Sequence, residues 1–261
     1  MYEKFDSMKQ IPNLFTLLNL LFGCLAIVFL LTDGMVLVPT AEGTVYFDLP
    51  ASIGLASLFI ALAAVVDFFD GMLARLFKAD SAMGRELDSL ADVVSFGVAP
   101  GMILFSFLRL SWSAEITAMD TSIVYLLPAF LVPLAAAWRL ARFNISPAQS
   151  SYFQGVPTPA VGLTIATLPL AYWMENGSWL SSLLLESWFL YALAIVFSAI
   201  MVVRWPMMSF KFHDFSWGNN SPRYLFLLAA ILGGVFLSWS AALPVFAIYV
   251  LLSLLFQKRL R

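Results

Sequence analysis

Apolar residues in this chain do not alternate with polar ones. They come in long runs separated by short polar punctuation, near residues 13–32, 52–77, 88–108, 122–142, 157–174, 187–204, 222–238 and 241–257. An α-helix needs about 20 apolar residues to cross a bilayer, and most of these runs approach that length. Nearly uniform runs predict helices, because barrel strands would alternate with period two. The last two runs are short and are separated by Ser238–Ser240, so they predict a tight helical hairpin. The expected architecture is all-α: a polytopic membrane helical bundle of about eight transmembrane helices.

Composition strengthens that picture. Of 261 residues, 61% are apolar and 11% charged, against about 25% charged in a typical soluble domain. Mean hydropathy is +0.89. The net charge of -2 excludes the basic profile of a nucleic-acid binder. The single cysteine, Cys24, excludes an intramolecular disulfide and any multi-cysteine metal site, and is expected as a small packing residue. The first run, Leu14–Leu31, is too long for a signal-peptide core and lacks a following small-x-small site. It reads as a retained span.

Charge then sets direction. With the N-terminus inside, 13 of the 14 Lys and Arg residues fall on the cytoplasmic side, and only Arg109 falls outside. The outer loops hold Asp33, Glu42, Asp48, Glu115, Asp120, Glu175 and Glu186. This asymmetry predicts an even number of spans with both termini cytoplasmic. No linker or repeat divides the chain, so residues 1–261 are expected to form a single membrane domain. Residues 1–12 read as an amphipathic interfacial lead, with Tyr2 and Phe5 beside Lys4 and Lys9; an unstructured leader is the alternative. The final hairpin is expected over 222–257.

One block breaks the apolar rule: DFFDGMLARLFKADSAMGRELDSLAD, residues 67–92. Asp67 and Asp70 share a helix face at the end of the second run, and Asp88 and Asp92 share one at the start of the third. A short turn near Phe77–Met83 makes the two helices antiparallel neighbours. Four carboxylates therefore converge just below the membrane surface, where unpaired negative charge is costly. Arg75 and Arg85 can offset part of it. A pair of divalent cations offsets more, and all-oxygen ligation suits Mg²⁺ or Mn²⁺. Two-metal carboxylate sites commonly act on phosphates. Gly71, Ala74 and Gly84 lie on the carboxylate faces and leave room for a ligand, with close helix packing as the alternative.

The pattern Asp67-x2-Asp70-Gly71-x2-Ala74-Arg75-x8-Gly84-x3-Asp88-x3-Asp92 resembles the signature of the CDP-alcohol phosphatidyltransferases at all eight specified positions. Ile11–Thr16, Glu86–Pro100, Arg139–Asn144 and Tyr152–Ala160 are similar to stretches of the membrane-embedded serine-using branch of that family. Trp205–Phe212 is more weakly similar, and the final hairpin carries no motif.

The resemblance implies transfer of the phosphatidyl group from CDP-diacylglycerol to L-serine, on the cytoplasmic face of the cell membrane, by a homodimer. It implies that Asp67, Asp70, Asp88 and Asp92 hold two divalent cations, with Asp92 also the general base. Gly71, Ala74 and Gly84 would shape the CDP cradle and Arg75 would hold a phosphate. Asn13 and Thr16 would line the nucleotide or phosphate entrance. Arg139 and Arg142 are placed by the same resemblance against a serine carboxylate or a phosphate oxygen, with headgroup anchoring as the alternative; Lys211 is a weaker candidate for that role. His213, the only histidine, reads as a surface residue.

Other readings stay open. Glycerol phosphate, inositol phosphate or choline could replace serine, and an ether lipid could replace the diacyl donor. An ion transporter using intramembrane carboxylates, or a prenyltransferase with aspartate-rich motifs, belongs to a different class.

Overall fold

The computed structural model describes residues 11–39, 45–77, 81–113, 122–145, 153–174, 179–208 and 217–256. Among these the chain is mostly helical. The lead over residues 1–12, the turn residues 78–80, Tyr152, Lys211 and His213 lie wholly or largely outside the described residues.

Helix α1 (Ile11–Thr32) runs from the carboxylate end of the molecule to the opposite end. There a two-stranded antiparallel ribbon, β1 (Val36–Pro39) with β2 (Val45–Asp48), reverses the chain, pairing Val36 with Asp48. Asp48 Oδ1 accepts hydrogen bonds from the Leu49 amide (2.7 Å) and the Tyr172 hydroxyl (3.0 Å), which ties the ribbon to the bundle. Helix α2 (Ser52–Leu76) returns and packs along α1.

A second reversal leads into α3 (Ala82–Asp92), a π-helical stretch (Val93–Val98) and α4 (Ala99–Ser113), which form one continuous rod. The third apolar run was expected over 88–108; the helix starts six residues earlier because Ser81 caps it, its Oγ accepting from the Gly84 amide at 2.9 Å.

After two 3₁₀ turns (Ile123–Tyr125 and Leu127–Phe130) come α5 (Leu131–Ile145), β3 (Phe153–Gln154), α6 (Thr158–Ala166), α7 (Leu168–Met174), the short α8 (Trp179–Leu183), α9 (Ser187–Val202) and β4 (Pro206–Met207). The chain closes with α10 (Trp217–Leu237), a 3₁₀ turn (Ser238–Ala241) and α11 (Ala242–Leu255).

Among the described residues, four stretches are long and apolar enough to cross a membrane: Pro12–Thr32, Ser52–Leu76, Ala82–Ser113 and Asn220–Leu255. This is fewer than the eight expected, and the reasons are local. The run at 122–142 spends its first turns in 3₁₀ geometry, so α5 is only 15 residues long. The run at 157–174 breaks at Thr167, because Pro169 has no amide to donate to the Ile165 carbonyl and continue the ladder. Helix α9 has 16 residues, about 24 Å at 1.5 Å per residue, short of an apolar layer of about 30 Å. The stretch Asn220–Leu255 is itself two arms. Ser238 has φ +48°, and the rings of Phe226 and Tyr249 meet at 5.7 Å, so α10 and α11 fold back on each other.

The α3–α4 rod is the most buried of the four stretches. Around it Ile53, Ile60, Phe96, Ile103, Phe107 and Ile165 are fully or almost fully buried. In a bilayer this packing is held by close van der Waals fit rather than by escape from water. Two helical glycines allow close backbone approaches to the π-helical stretch. A Cβ on Gly23 of α1 would lie 2.9 Å from Ser95 Cα, and one on Gly162 of α6 would lie 2.9 Å from Phe96 Cα and 3.0 Å from its carbonyl oxygen. Backbone cannot give way as a side chain can. Gly162→Ala is therefore expected to destabilise the fold by about 1–3 kcal/mol, read as a lower unfolding temperature in detergent; an unchanged temperature would refute the close fit. Gly97 and Gly101 face Pro133 and Ala136 of α5, a close helix pair. Cys24 departs from expectation: it is exposed on the outer side of α1.

Candidate active site

The last two turns of α2 sort their side chains by chemistry. Phe68 and Phe69 are exposed on the outer face, while Asp70 is 6% exposed and Asp67 half-buried. Helix α3 presents Asp88 in its second turn and ends on Asp92, which is 7% exposed. Carboxylate oxygens of Asp67, Asp70 and Asp88 all lie within 4.8 Å of one another. Asp92 faces the same group, electrostatically coupled to Asp67, Asp88 and Asp70.

Like charges this close and this dry repel strongly. Among the described residues, no ion pair joins these carboxylates to Arg75 or Arg85. Arg75 is exposed, and its Nε donates to the Gly71 carbonyl at 2.9 Å, one turn back on its own helix. The donor set is oxygen only, with no histidine or cysteine in the group. Such a triad fits a hard divalent metal ion, which would supply the missing positive charge.

The space around the triad is uneven. A Cβ on Gly71 would meet nothing within 4 Å, so the surface beside Asp70 is open. Ala74 is half-buried on the same helix. Gly84 is different: a Cβ there would lie 3.0 Å from Ser81 Oγ and 3.1 Å from Asn13 Oδ1, so it admits Asn13 against α3. Thr16 does not line an open entrance. It is buried, with Oγ1 2.9 Å from Asp70 Oδ2 and 3.1 Å from the Pro12 carbonyl, and it orients a carboxylate.

Asn19 belongs to the site although its surroundings in the chain give it no motif. It is fully buried, and its Nδ2 donates to Asp92 Oδ1 at 3.4 Å. Its backbone carbonyl accepts from Ser95 Oγ at 3.0 Å. Its own Oδ1 is buried without a hydrogen-bond partner, a state that costs about 1–3 kcal/mol. The available signal was an amide in the middle of an apolar run, which in a membrane helix points to function.

A second polar group borders the carboxylates. Arg139 of α5 is 7% exposed; its NH1 donates to Thr158 Oγ1 at 3.0 Å, and its Nε is buried without a partner. Arg139 lies close enough to Asp92 for their opposite charges to attract. Arg142 NH1 donates to the Val202 carbonyl at 2.7 Å. One turn from the acidic cluster, Ser89 and Asn144 bond side chain to side chain at 3.0 and 3.2 Å, and Asn144 Nδ2 also reaches Glu86 at 3.4 Å. The segments around Glu86–Ser89 and Arg139–Asn144 therefore touch.

Strands β3 and β4 form a small scaffold with α11. Strand β3 pairs with β4, Phe153 opposite Met207, and the Gly155 amide donates to the Trp205 carbonyl at 2.8 Å. The next residue, Met208, is held from both sides by α11. Its amide donates to Ser253 Oγ at 3.2 Å, and its carbonyl accepts from the Tyr249 hydroxyl at 3.1 Å. Ser253 Oγ in turn donates to the Tyr249 carbonyl at 2.8 Å.

Residues 9–208 match the sequence profile of the CDP-alcohol phosphatidyltransferases. The chain is 34% identical over 201 residues to a CDP-diacylglycerol–serine O-phosphatidyltransferase of Mycobacterium leprae, covering 74% of this chain and 60% of that protein. It is 34% identical over 165 residues to the protein of that name from Bacillus subtilis, covering 63% of this chain and 78% of the relative. An archaetidylserine synthase of Methanothermobacter thermautotrophicus is 31% identical over 170 residues, covering 64% and 61%. The chain thus spans less than two thirds of the mycobacterial and archaeal relatives and more than three quarters of the Bacillus one.

Proposed function

The chain belongs to the CDP-alcohol phosphatidyltransferase family, and from that membership we propose that it transfers the phosphatidyl group of CDP-diacylglycerol to L-serine, giving phosphatidylserine and CMP. The observation that carries the reading is the meeting of Asp67, Asp70 and Asp88 from two helices within 4.8 Å, in a chain whose relatives bear the serine-transferase name.

In the proposed reaction the serine hydroxyl oxygen forms a bond to the phosphatidyl phosphorus. The bond from that phosphorus to CMP breaks, and the hydroxyl proton passes to Asp92. Two divalent cations, Mg²⁺ or Mn²⁺, held by Asp67, Asp70, Asp88 and Asp92, would supply neutralising charge to the diphosphate and the leaving oxygen. Gly71 leaves open surface beside the carboxylates for the nucleotide, with Ala74 and Arg75 completing the cradle and Gly84 admitting Asn13 to its edge. Asn13 and Thr16 shape it from α1. Arg139, Arg142 and Lys211 bind the acceptor carboxylate or a phosphate oxygen. The buried, unpartnered Nε of Arg139 supports this role, since a guanidinium fork matches a carboxylate.

The proposed setting is the cytoplasmic membrane, with an even number of spans, both termini and the active site on the cytoplasmic side, and a homodimeric assembly. The asymmetry of Lys and Arg residues supports the orientation. The relative named archaetidylserine synthase favours one alternative, an ether-lipid donor with the same acceptor.

The test is CMP release by purified protein in nanodiscs, with ester and ether CDP-lipid donors crossed against serine, glycerol phosphate, inositol phosphate and choline. Serine-dependent release is expected. Release with another acceptor and none with serine would overturn the substrate, and release with none would overturn the activity.

A further inference from the structure

We propose that Asn19 is a positioning residue for Asp92: its side-chain amide holds one carboxylate oxygen and so fixes the direction in which the group faces the acidic cluster. The proposal rests on the reading of Asp92 as a residue of the active site.

Three observations carry it. Asn19 is fully buried in the middle of an otherwise apolar helix, and its Nδ2 donates to Asp92 Oδ1 at 3.4 Å. Ser95, three residues beyond Asp92 and on the same face, donates through Oγ to the Asn19 carbonyl at 3.0 Å. Gly23, one turn further along α1, lets Ser95 come this close, since a Cβ there would collide with Ser95 Oγ. A single residue of α1 therefore takes two bonds from one face of the rod, at Asp92 and at Ser95. Together they fix both the height and the rotation of Asp92 relative to α1.

Ordinary helix-to-helix adhesion explains this arrangement poorly. An asparagine recruited only to join helices would have both ends of its amide paired. Here Oδ1 is buried with no partner, so for adhesion alone an aliphatic residue of similar size would pack better. Only the amide N–H is used, and it is used on a carboxylate. The π-helical geometry begins at Val93, immediately after Asp92. Such interruptions often occur at functional sites.

Asn19→Leu and Asn19→Ala, the second adding no bulk, are compared with wild type and with Asn19→Gln in nanodiscs. CMP release is measured as kcat and as KM for each substrate, beside the unfolding temperature. The expected result for Leu and Ala is a fall in kcat of about 10–100-fold, the usual scale for losing a residue that orients a site group. Both KM values should stay within about two-fold, and the Leu variant should unfold no earlier than wild type. Asn19→Gln, which retains the amide, should recover part of kcat.

The proposal is overturned if kcat of the Ala variant stays near wild type, if only KM moves, if the loss of kcat tracks a loss of stability, or if Gln recovers nothing. Wild-type turnover is a separate arm. If serine is not the acceptor, the same comparison is made with whichever acceptor releases CMP, so a failed substrate assignment is not mistaken for a failed role of Asn19.

Discussion

Asp70→Asn is expected to abolish phosphatidyl transfer, by about 10³-fold, the upper scale for losing one preorganised electrostatic group from an active site. Asp67→Asn and Asp88→Asn should do the same. The protein should still accumulate in membranes and, measured in chelator, unfold at a temperature no lower than wild type. The two halves of this expectation have one cause. The three carboxylates crowd within 4.8 Å, and among the described residues no ion pair to Arg75 or Arg85 relieves them. Neutralising one removes like-charge repulsion, which favours the fold. At position 70 the packing contact also survives, because an amide oxygen can accept from Thr16 Oγ1 as the carboxylate does at 2.9 Å. Turnover measured beside thermal unfolding separates the outcomes. Near-normal turnover in these variants would remove the carboxylates from the chemistry, and a matching loss of stability would make them structural.

Removing divalent ions should have an effect of similar size. Exhaustive chelation is expected to stop CMP release, and Mg²⁺ or Mn²⁺ to restore it. Binding to the native state alone also stabilises it, by about 2.7 kcal/mol at a concentration 100 times Kd. The unfolding temperature of wild type should therefore rise on adding the ion, and that of Asp70→Asn should rise much less. The thermal readout does not depend on turnover. An equal rise in both proteins would place the ion elsewhere, and full activity after chelation would end the metal reading.

The acidic block was legible because it violates its surroundings. Aspartates spaced i, i+3 and i, i+4 across a short turn have few places to go except toward each other, and Asp67, Asp70 and Asp88 do meet. The resemblance drawn from that spacing agrees with the profile match over residues 9–208. What stayed hidden depends on which face of α1 turns inward. In a soluble helix the apolar stripe answers that, but in a membrane the lipid side is as apolar as the core. The contacts of Thr16 with Asp70, Asn13 with Gly84 and Asn19 with Asp92 are consequences of that rotation. Gly23 was the one local clue, since small residues mark where helices approach closely. Hydropathy also hid the 3₁₀ turns before α5 and the break at Thr167, because neither changes the apolar content of its run. Thr158 could not be linked to Arg139 before the fold joined them across 19 residues.

The clasp on Met208 bears on how the last two helices are attached. Tyr249 and Ser253 grip only the amide and carbonyl that every non-proline residue carries. The join is thus indifferent to the identity of residue 208, provided that its side chain fits and it is not proline. Mutational drift at that point can proceed without detaching the hairpin, whereas drift at Tyr249 or Ser253 cannot. A hairpin fastened in this way keeps its register on the core through main-chain geometry, while side-chain contacts such as that between the Phe197 and Phe246 rings, 5.1 Å apart, press it home.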